Sequence, residues 1–287
     1  MGSEFLTSPF DNLLKPVDDH LIVHNELMSS LILGNKIQIH TSEHGIPDLD
    51  TTKIVFIGIP ENRNSIDYLG DELNLNEIRK SFYNLYPGNW STEIADLGNL
   101  ILGENVEQTY GRIISMLSIL FEKNIIPIII GGSHDLLYAN YRAYDSFKST
   151  VNIVNIDSNF DIGDSAKPIN NLSYLGKIIL DEPHNLFNYS NLGYQTYHNS
   201  QEEIDLMENL FFESYRLGEV SYNIRLSEPV MRDADIVSVD LKSVRASELS
   251  SRQKFSPNGF DGKEICALSR YAGISNKVSS FGIYEYK

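Results

Sequence analysis

The 287-residue sequence has only one cysteine, few basic residues and no long apolar run. A lone cysteine cannot form an internal disulfide, so we expect a reducing compartment and a cytoplasmic protein. The longest apolar runs, such as NIIPIII, fall far short of the roughly 20 residues that span a bilayer, which argues against membrane insertion. Lys and Arg number 23 against 39 Asp and Glu, giving a net charge of −16. This charge argues against binding to nucleic acid or anionic membranes.

What the sequence does contain is an apolar fraction of 41%, enough to build a core. Strand-like apolar segments alternate with amphipathic helical segments along most of the chain. The predicted strands are residues 53–60, 91–98, 125–132, 151–157, 235–240 and 278–286. Strands that are apolar on both faces and separated by helices are typical of a parallel sheet covered on both sides. The predicted fold is therefore a three-layer α/β/α sandwich with a mainly parallel sheet.

Two regions are expected along the chain. Residues 1–52 form a lead-in with a helix over about 18–33, and residues 1–5, MGSEF, are typical of a cloning remnant. Residues 53–287 form the main domain. Within it, SQEEIDLMENLFFESYRLG predicts one helix over 200–218.

Polar side chains lie at or just after the ends of four predicted strands, where ligands bind in parallel sheets. His134 follows the third strand, Asp157 ends the fourth and Asp161 follows it, Asp240 ends the fifth, and Glu285 lies near the end of the last. These residues could hold a metal ion. Alternatively, the two aspartates form a solvated turn, the histidine is a buried hydrogen-bonding group, and the glutamate is an exposed strand residue.

Three of these strand ends carry motifs that resemble the arginase family, the ureohydrolases, which include agmatinase and formiminoglutamase. The family has GGDHS, DAHxD and SxDxDxxDP in this order, where this chain has GGSHD, DSNFD and SVDLKSVR. The segment GIYEY is similar to the family's DivEvNP, after which we expect the family's last helix to be lacking. The resemblance runs from about Lys53 to the C-terminus, and the YANYRAYDSF helix favours the formiminoglutamase-like branch.

The resemblance implies a homo-oligomer that hydrolyses a guanidino or formimino C–N bond with a hydroxide bridging two Mn²⁺ ions. In the family, the positions that match His134, Asp157, Asp161 and Asp240 surround one of the two ions. Carboxylates with an imidazole suit Mn²⁺ better than metals that prefer sulfur.

The ligands that serve only the second ion are replaced, because this chain has Asn159 where the family has histidine and Lys242 where it has aspartate. An amide oxygen is a weak substitute for imidazole, and an ammonium is no ligand. We therefore expect at most one Mn²⁺ per chain, or none if the site is vestigial. Lys242 can instead supply positive charge, paired with Asp157 or Asp240, or act as a general base if burial lowers its pKa.

The family's proton-transfer histidine also has no counterpart, because the loop after DSNFD contains Asn170 and Asn171 and no histidine before His184. Two hypotheses remain. The favoured one is a pseudoenzyme that binds an unidentified protein partner or a small amidine-like ligand. The alternative is a formiminoglutamase-like, metal-dependent hydrolase of a linear C–N bond, with Lys242 and Glu285 as catalytic residues.

Overall fold

The computed structural model describes residues 9–10, 12–68, 70, 73–147, 150–164, 166–249 and 256–286. The suggested cloning remnant at residues 1–5 lies outside these ranges. The chain forms two compact units, one from Met1–Pro60 and Asn74–Ile130, the other from Glu61–Leu73 and Gly131–Lys287. None of the helices in the described ranges combines the length and apolar character that a membrane span requires.

The first unit contains short and long strands around a central strand, β4. Its described elements are β1 (Leu14–Lys15), α1 (Asp19–Leu27), β2 (Gln38–Ile39), β3 (Ile54–Ile59), α2 (Asn76–Tyr83), β4 (Ile94–Leu100), α3 (Val106–Glu122) and β5 (Ile126–Gly131). The strand order is β1-β4-β3-β5, and β2 also pairs with β4. β2 and β3 run parallel to β4, whereas β1 is antiparallel. The helix predicted near residue 18 begins after Asp18, whose carboxylate accepts a hydrogen bond from the His20 N–H.

A buried polar cluster fixes α2 on β4 within this unit. The Arg79 guanidinium, fully buried, donates to the Asp96 carboxylate at 2.8 Å and to the Gly98 carbonyl at 2.8 Å. The Tyr83 hydroxyl donates to the same carboxylate at 2.7 Å. Because a buried charge without a partner is costly, the burial of Arg79 and Asp96 depends on these contacts.

The second unit is built on five strands in the order β10-β9-β6-β7-β8. Every neighbouring pair among them is parallel. Its described elements are α4 (Leu136–Arg142), β6 (Val151–Ile156), α5 (Tyr174–Leu180), β7 (Leu186–Tyr194), α6 (Gln201–Asn209), β8 (Glu213–Arg216), α7 (Leu217–Tyr222), α8 (Ser227–Arg232), β9 (Ile236–Asp240), α9 (Gly262–Ile274) and β10 (Ser280–Tyr284). The predicted α/β class with a mainly parallel sheet is confirmed.

The single helix predicted over 200–218 was wrong, because the segment contains α6, strand β8 and the start of α7. α6 begins with a capping box between Ser200 and Glu203, and Phe211, with φ of 57°, follows it. A left-handed residue cannot continue a helix, so the chain turns there into β8. Strand β7 was not predicted, because its buried positions include the polar Ser190 and Asn191 rather than an apolar run.

The core of the second unit packs helices α7, α8 and α9 against β6 and β9. It includes Val154, Val237, Val239, Met231 and Leu268, all nearly inaccessible to solvent. Burial of this kind contributes about 25 cal/mol for each Å² of apolar surface removed from water. This packing holds the strands in place, and with them the polar side chains at the strand ends.

Candidate metal centre

The strand register of the second unit brings the polar strand ends together. Asp240 lies opposite Tyr284, so Glu285 follows directly beside it. Ile156 lies opposite Val239, so Asp157 follows beside Asp240. Side chains far apart in sequence therefore meet at one edge because three neighbouring parallel strands, β10, β9 and β6, end there.

Four side chains form a compact buried group, which we call the four-residue cluster: His134, Asp157, Asp161 and Asp240. One potential ligand atom from each lies within 4.8 Å of those of the others. All four residues are at most 3% exposed. This burial excludes the interpretation of the two aspartates after β6 as a solvated turn.

His134 points one ring nitrogen at the carboxylates. Its Nδ1 lies 3.2 Å from Asp240 Oδ2, 3.3 Å from Asp157 Oδ2 and 3.7 Å from Asp161 Oδ2. Its Nε2 lies 2.7 Å from the Ser238 hydroxyl. With Nε2–H donated to Ser238, His134 becomes a metal ligand when Nδ1, which faces the carboxylates, gives up its proton.

Two of the aspartates are oriented by hydrogen bonds from the chain. Asp157 Oδ1 accepts from the Asn159 N–H at 3.0 Å, and Asp157 Oδ2 accepts from the Asn155 amide at 3.2 Å. Asp240 Oδ1 accepts from the Lys242 N–H at 2.6 Å. Each carboxylate therefore keeps Oδ2 facing the imidazole.

Asp161 differs, because neither of its carboxylate oxygens has a hydrogen-bond partner among the described residues. The residue is 3% exposed and has a φ of 55°, a conformation that costs free energy for a residue with a side chain. A buried carboxylate without donors, held by a strained backbone, is a group positioned to bind a cation.

The pKa values of His134 and Asp161 reflect the negative charge concentrated in the four-residue cluster. Burial alone would lower the pKa of His134, but the hydrogen bonds and charges of Asp157 and Asp240 raise it to about 10. Burial raises the pKa of Asp161 well above its ordinary range, and the charge of Asp157 raises it further. The protons that these groups hold compensate the concentrated negative charge, a task that a divalent ion can take over.

Asn159 is turned away from any role as a ligand. Its side-chain oxygen accepts from the Ser158 hydroxyl at 2.8 Å, and its amide nitrogen donates to the His198 carbonyl at 3.3 Å. Both ends of the amide therefore serve the surrounding loops.

Lys242 forms its ion pair with Glu285, Nζ to Oε2 at 2.9 Å, and not with Asp157 or Asp240 as the sequence suggested. Burial alone would lower the pKa of Lys242, but the charges of Asp240 and Glu285 raise it. The group is thus a fixed ammonium, which is the opposite of what a general base requires.

Glu285 is fully buried, which excludes its interpretation as an exposed strand residue. Its φ is 60°. Its Oε1 accepts from the His134 N–H at 3.0 Å and from the Asn171 amide at 3.1 Å. Glu285 therefore links the lysine to the backbone of the histidine ligand position.

Three functional contacts were missed from the sequence. Ser238 lies two residues before Asp240, so both side chains point to the same side of β9, and this spacing could have indicated it. Asn171 was considered only for proton transfer, yet it positions Glu285. Tyr174 packs on the His134 ring with centroids 4.5 Å apart, and no local pattern in the sequence indicates that contact.

The donor set fits one divalent ion of the Mn²⁺ type. Three carboxylates and one imidazole are hard or borderline ligands, and neither oxygen of Asp161 has a hydrogen-bond partner in the described part of the chain. The residues do not fit a second ion beside the first, because Asn159 is engaged elsewhere and Lys242 brings a positive charge.

Comparisons with known proteins bear on the family resemblance. Residues 52–287 match the sequence model described as "Arginase family". A formimidoylglutamase of Clostridium tetani is 25% identical over 232 residues, which cover 72% of this chain and 67% of that protein. A formimidoylglutamase of Macrococcus caseolyticus is 25% identical over 181 residues, covering 60% and 56%. The Trypanosoma cruzi formiminoglutamase structure with Mn²⁺ aligns with a TM-score of 0.74 at 17% identity over 83% of this chain and 86% of that one. This last likeness shows the fold.

Proposed function

Because this chain belongs to the arginase family, we propose that it binds a single Mn²⁺ in the four-residue cluster and acts as a binding protein, not as a two-manganese hydrolase. The observation that carries the proposal is the ion pair of Lys242 with Glu285. An ammonium stands at the sequence position where the family resemblance expects an aspartate that serves the second ion.

The charge of Lys242 disfavours a second ion directly. Two unit charges 4 Å apart repel by about 4 kcal/mol at an effective dielectric of 20, and a divalent ion would feel about twice that. The lysine cannot easily move away, because its partner Glu285 is fully buried and held by two further hydrogen bonds. The ammonium supplies part of the positive charge that a second ion would bring.

Each residue of the site would have its own role in binding the ion. The cluster would hold the ion through His134 Nδ1 and the aspartate oxygens, with Ser238 fixing the imidazole. When bound, Mn²⁺ acts as a Lewis acid toward an oxygen or nitrogen ligand. Lys242 would add a hydrogen-bond donor and a positive charge at the partly exposed side of the site, since 24% of its side chain is exposed.

The alternative is a one-metal hydrolase of a linear amidine, with Lys242 and Glu285 in catalytic roles. It is favoured by the complete set of four ligands and by the relatives named formimidoylglutamase. Against it stands the loop after DSNFD, which has no histidine before His184 that could serve in proton transfer near neutral pH.

An activity assay separates the two functions. Ammonia or formamide release from formiminoglutamate is measured with added Mn²⁺ for the unaltered protein and for Asp157→Ala, with the exposed Asp164→Asn as the matched control. We expect no turnover above the Asp157→Ala background. Turnover that Asp157→Ala abolishes and Asp164→Asn leaves unchanged would establish the hydrolase and overturn the binding-protein proposal.

The compartment, the oligomeric state and the kind of partner are proposed from the sequence. The single cysteine supports a cytoplasmic protein, and the family resemblance supports a homo-oligomer. The strongly acidic composition supports a small-molecule or protein partner over nucleic acid. Light scattering on the purified protein tests the oligomer: a mass of about one chain would contradict it.

A further inference from the structure

A cavity of about 400 Å³ opens at the carboxyl ends of β7 and β8, separate from the residues of the four-residue cluster. Its volume is within the range of small-molecule sites. The wall includes Gln195 and Tyr197, which follow β7, and Arg216, which ends β8. Strand ends of a parallel sheet are the usual place for a ligand, yet nothing in the metal centre uses these groups.

One side of this cavity is held in place by its own hydrogen bonds. The Gln195 amide donates to the Asn258 carbonyl at 3.1 Å, and the Asn258 amide donates to Gln195 Oε1 at 3.0 Å and to the Tyr197 hydroxyl at 2.9 Å. These contacts join two segments of the chain that are 63 residues apart. The polar wall is therefore preorganised, so that little ordering is needed when a ligand binds.

The lining of the cavity has more positive than negative side chains, unlike the protein as a whole. Two arginines, Arg216 and Arg245, and one carboxylate, Glu264, line it, whereas the whole chain has a net charge of −16. Arg245 lies near Asp261 and Glu264 at 3.3 and 3.8 Å, and its buried Nε has no hydrogen-bond partner among the described residues.

Arg216 is the less compensated of the two guanidiniums. In the part of the chain that the structure describes it forms no ion pair, and its Nη2 donates only to the Thr196 hydroxyl at 3.4 Å. A guanidinium has five N–H donors in a planar fork that matches a carboxylate. Most of the donors of Arg216 are thus available to a ligand.

We propose that this cavity is a binding site for a small carboxylate, with Arg216 as its principal contact and Arg245 as the second. The site also adjoins the metal loop, because the Gln195 N–H donates to the carbonyl of Ser158, the residue after Asp157, at 3.0 Å. This hydrogen bond joins the wall of the cavity to the loop that carries two of the proposed metal ligands. The site goes beyond the proposed Mn²⁺ function and does not depend on it.

The test compares two five-carbon probes of opposite charge, glutarate and 1,5-diaminopentane, by calorimetry in a buffer free of carboxylates. Each is titrated into the metal-free and the Mn²⁺-treated protein, so that failure to bind metal does not obscure the result. Arg216→Gln is the test variant. Arg225→Gln, an exposed arginine outside the cavity, is the matched control.

We expect glutarate to bind and the diamine not to bind. Loss of one charge-assisted guanidinium contact should weaken glutarate roughly tenfold in Arg216→Gln, with Arg225→Gln unchanged. Because Arg216 is exposed, the variant should keep the thermal midpoint of the unaltered protein. No glutarate binding, equal binding of both probes, or equal affinity in the two variants would each overturn the proposal.

Discussion

Asp161 offers the sharpest test of whether the cluster is built for a cation. In Asp161→Asn the side chain keeps its shape but can no longer ionise to bind a cation, and asparagine tolerates the left-handed backbone of this position. The new amide could donate to the neighbouring carboxylates, whose ligand atoms lie within 4.8 Å. We therefore expect the metal-free protein to become more stable and the Mn²⁺ complex weaker.

The expected gain in the free energy of unfolding follows from the two oxygens of Asp161, which have no hydrogen-bond partner among the described residues. A buried polar group without a hydrogen bond costs about 1–3 kcal/mol, and more if it is charged. Asp161 has two such oxygens and is 3% exposed. The free energy of unfolding without metal should thus rise by about 1–3 kcal/mol. Mn²⁺ affinity should fall by at least tenfold, because losing a direct ligand costs no less than losing a residue that supports one.

The assay is urea denaturation in the presence of a chelator, followed by Mn²⁺ titration of the folded protein. Asp164→Asn is the control on the same loop, because Asp164 is exposed and contacts Lys167 at 3.5 Å and the Ala166 N–H at 3.0 Å rather than the cluster. Its stability should change by no more than about 0.5 kcal/mol. If Asp161→Asn destabilised the metal-free protein, or bound Mn²⁺ as the unaltered protein does, Asp161 would be a structural residue and the reasoning would be wrong.

Two further predictions concern the metal centre, and a third concerns the buried ion pair of the first unit. First, the pKa of His134 is raised from 6.5 to about 10, so its contribution to metal-free stability is complete below about pH 6.5 and is lost as pH rises toward 10. The free energy of unfolding should fall across that range, and a flat profile would refute this. Second, the double variant Asn159→His with Lys242→Asp should raise bound Mn²⁺ from one to two ions per chain by elemental analysis. A ratio still near one would contradict the assignment of these two positions. Third, Arg79→Met should cost about 3–5 kcal/mol in urea denaturation, because it leaves the Asp96 carboxylate buried without its ion-pair partner. A loss below 1 kcal/mol would show that the ion pair is dispensable.

The sequence was sufficient where local pattern and backbone periodicity determine structure. Apolar strands followed by polar residues predicted that His134, Asp157, Asp161 and Asp240 lie at strand ends, and the parallel register brings those ends together. The sequence did not predict β8, because the pattern of its four residues continues that of the preceding helix. The positive φ of Phe211, which separates the two elements, is evident only in the structure.

The sequence also could not identify the partner of Lys242. Asp240 is two residues away and was the obvious choice, but its side chain faces His134, while Glu285 arrives from a neighbouring strand with its backbone in a left-handed conformation. Such pairings depend on register and backbone angle, which no single segment specifies. The replaced ligand positions, by contrast, were evident from residue type alone, since neither an amide nor an ammonium substitutes for the family's donors.

The most direct test of the account is the number of Mn²⁺ ions per chain. The purified protein is exposed to Mn²⁺, desalted and analysed for metal, beside Asp157→Ala as the variant that lacks one proposed ligand. We expect close to one ion per chain for the unaltered protein and close to none for the variant. Two ions per chain would contradict the role assigned to Lys242, and no bound metal would contradict the metal centre itself.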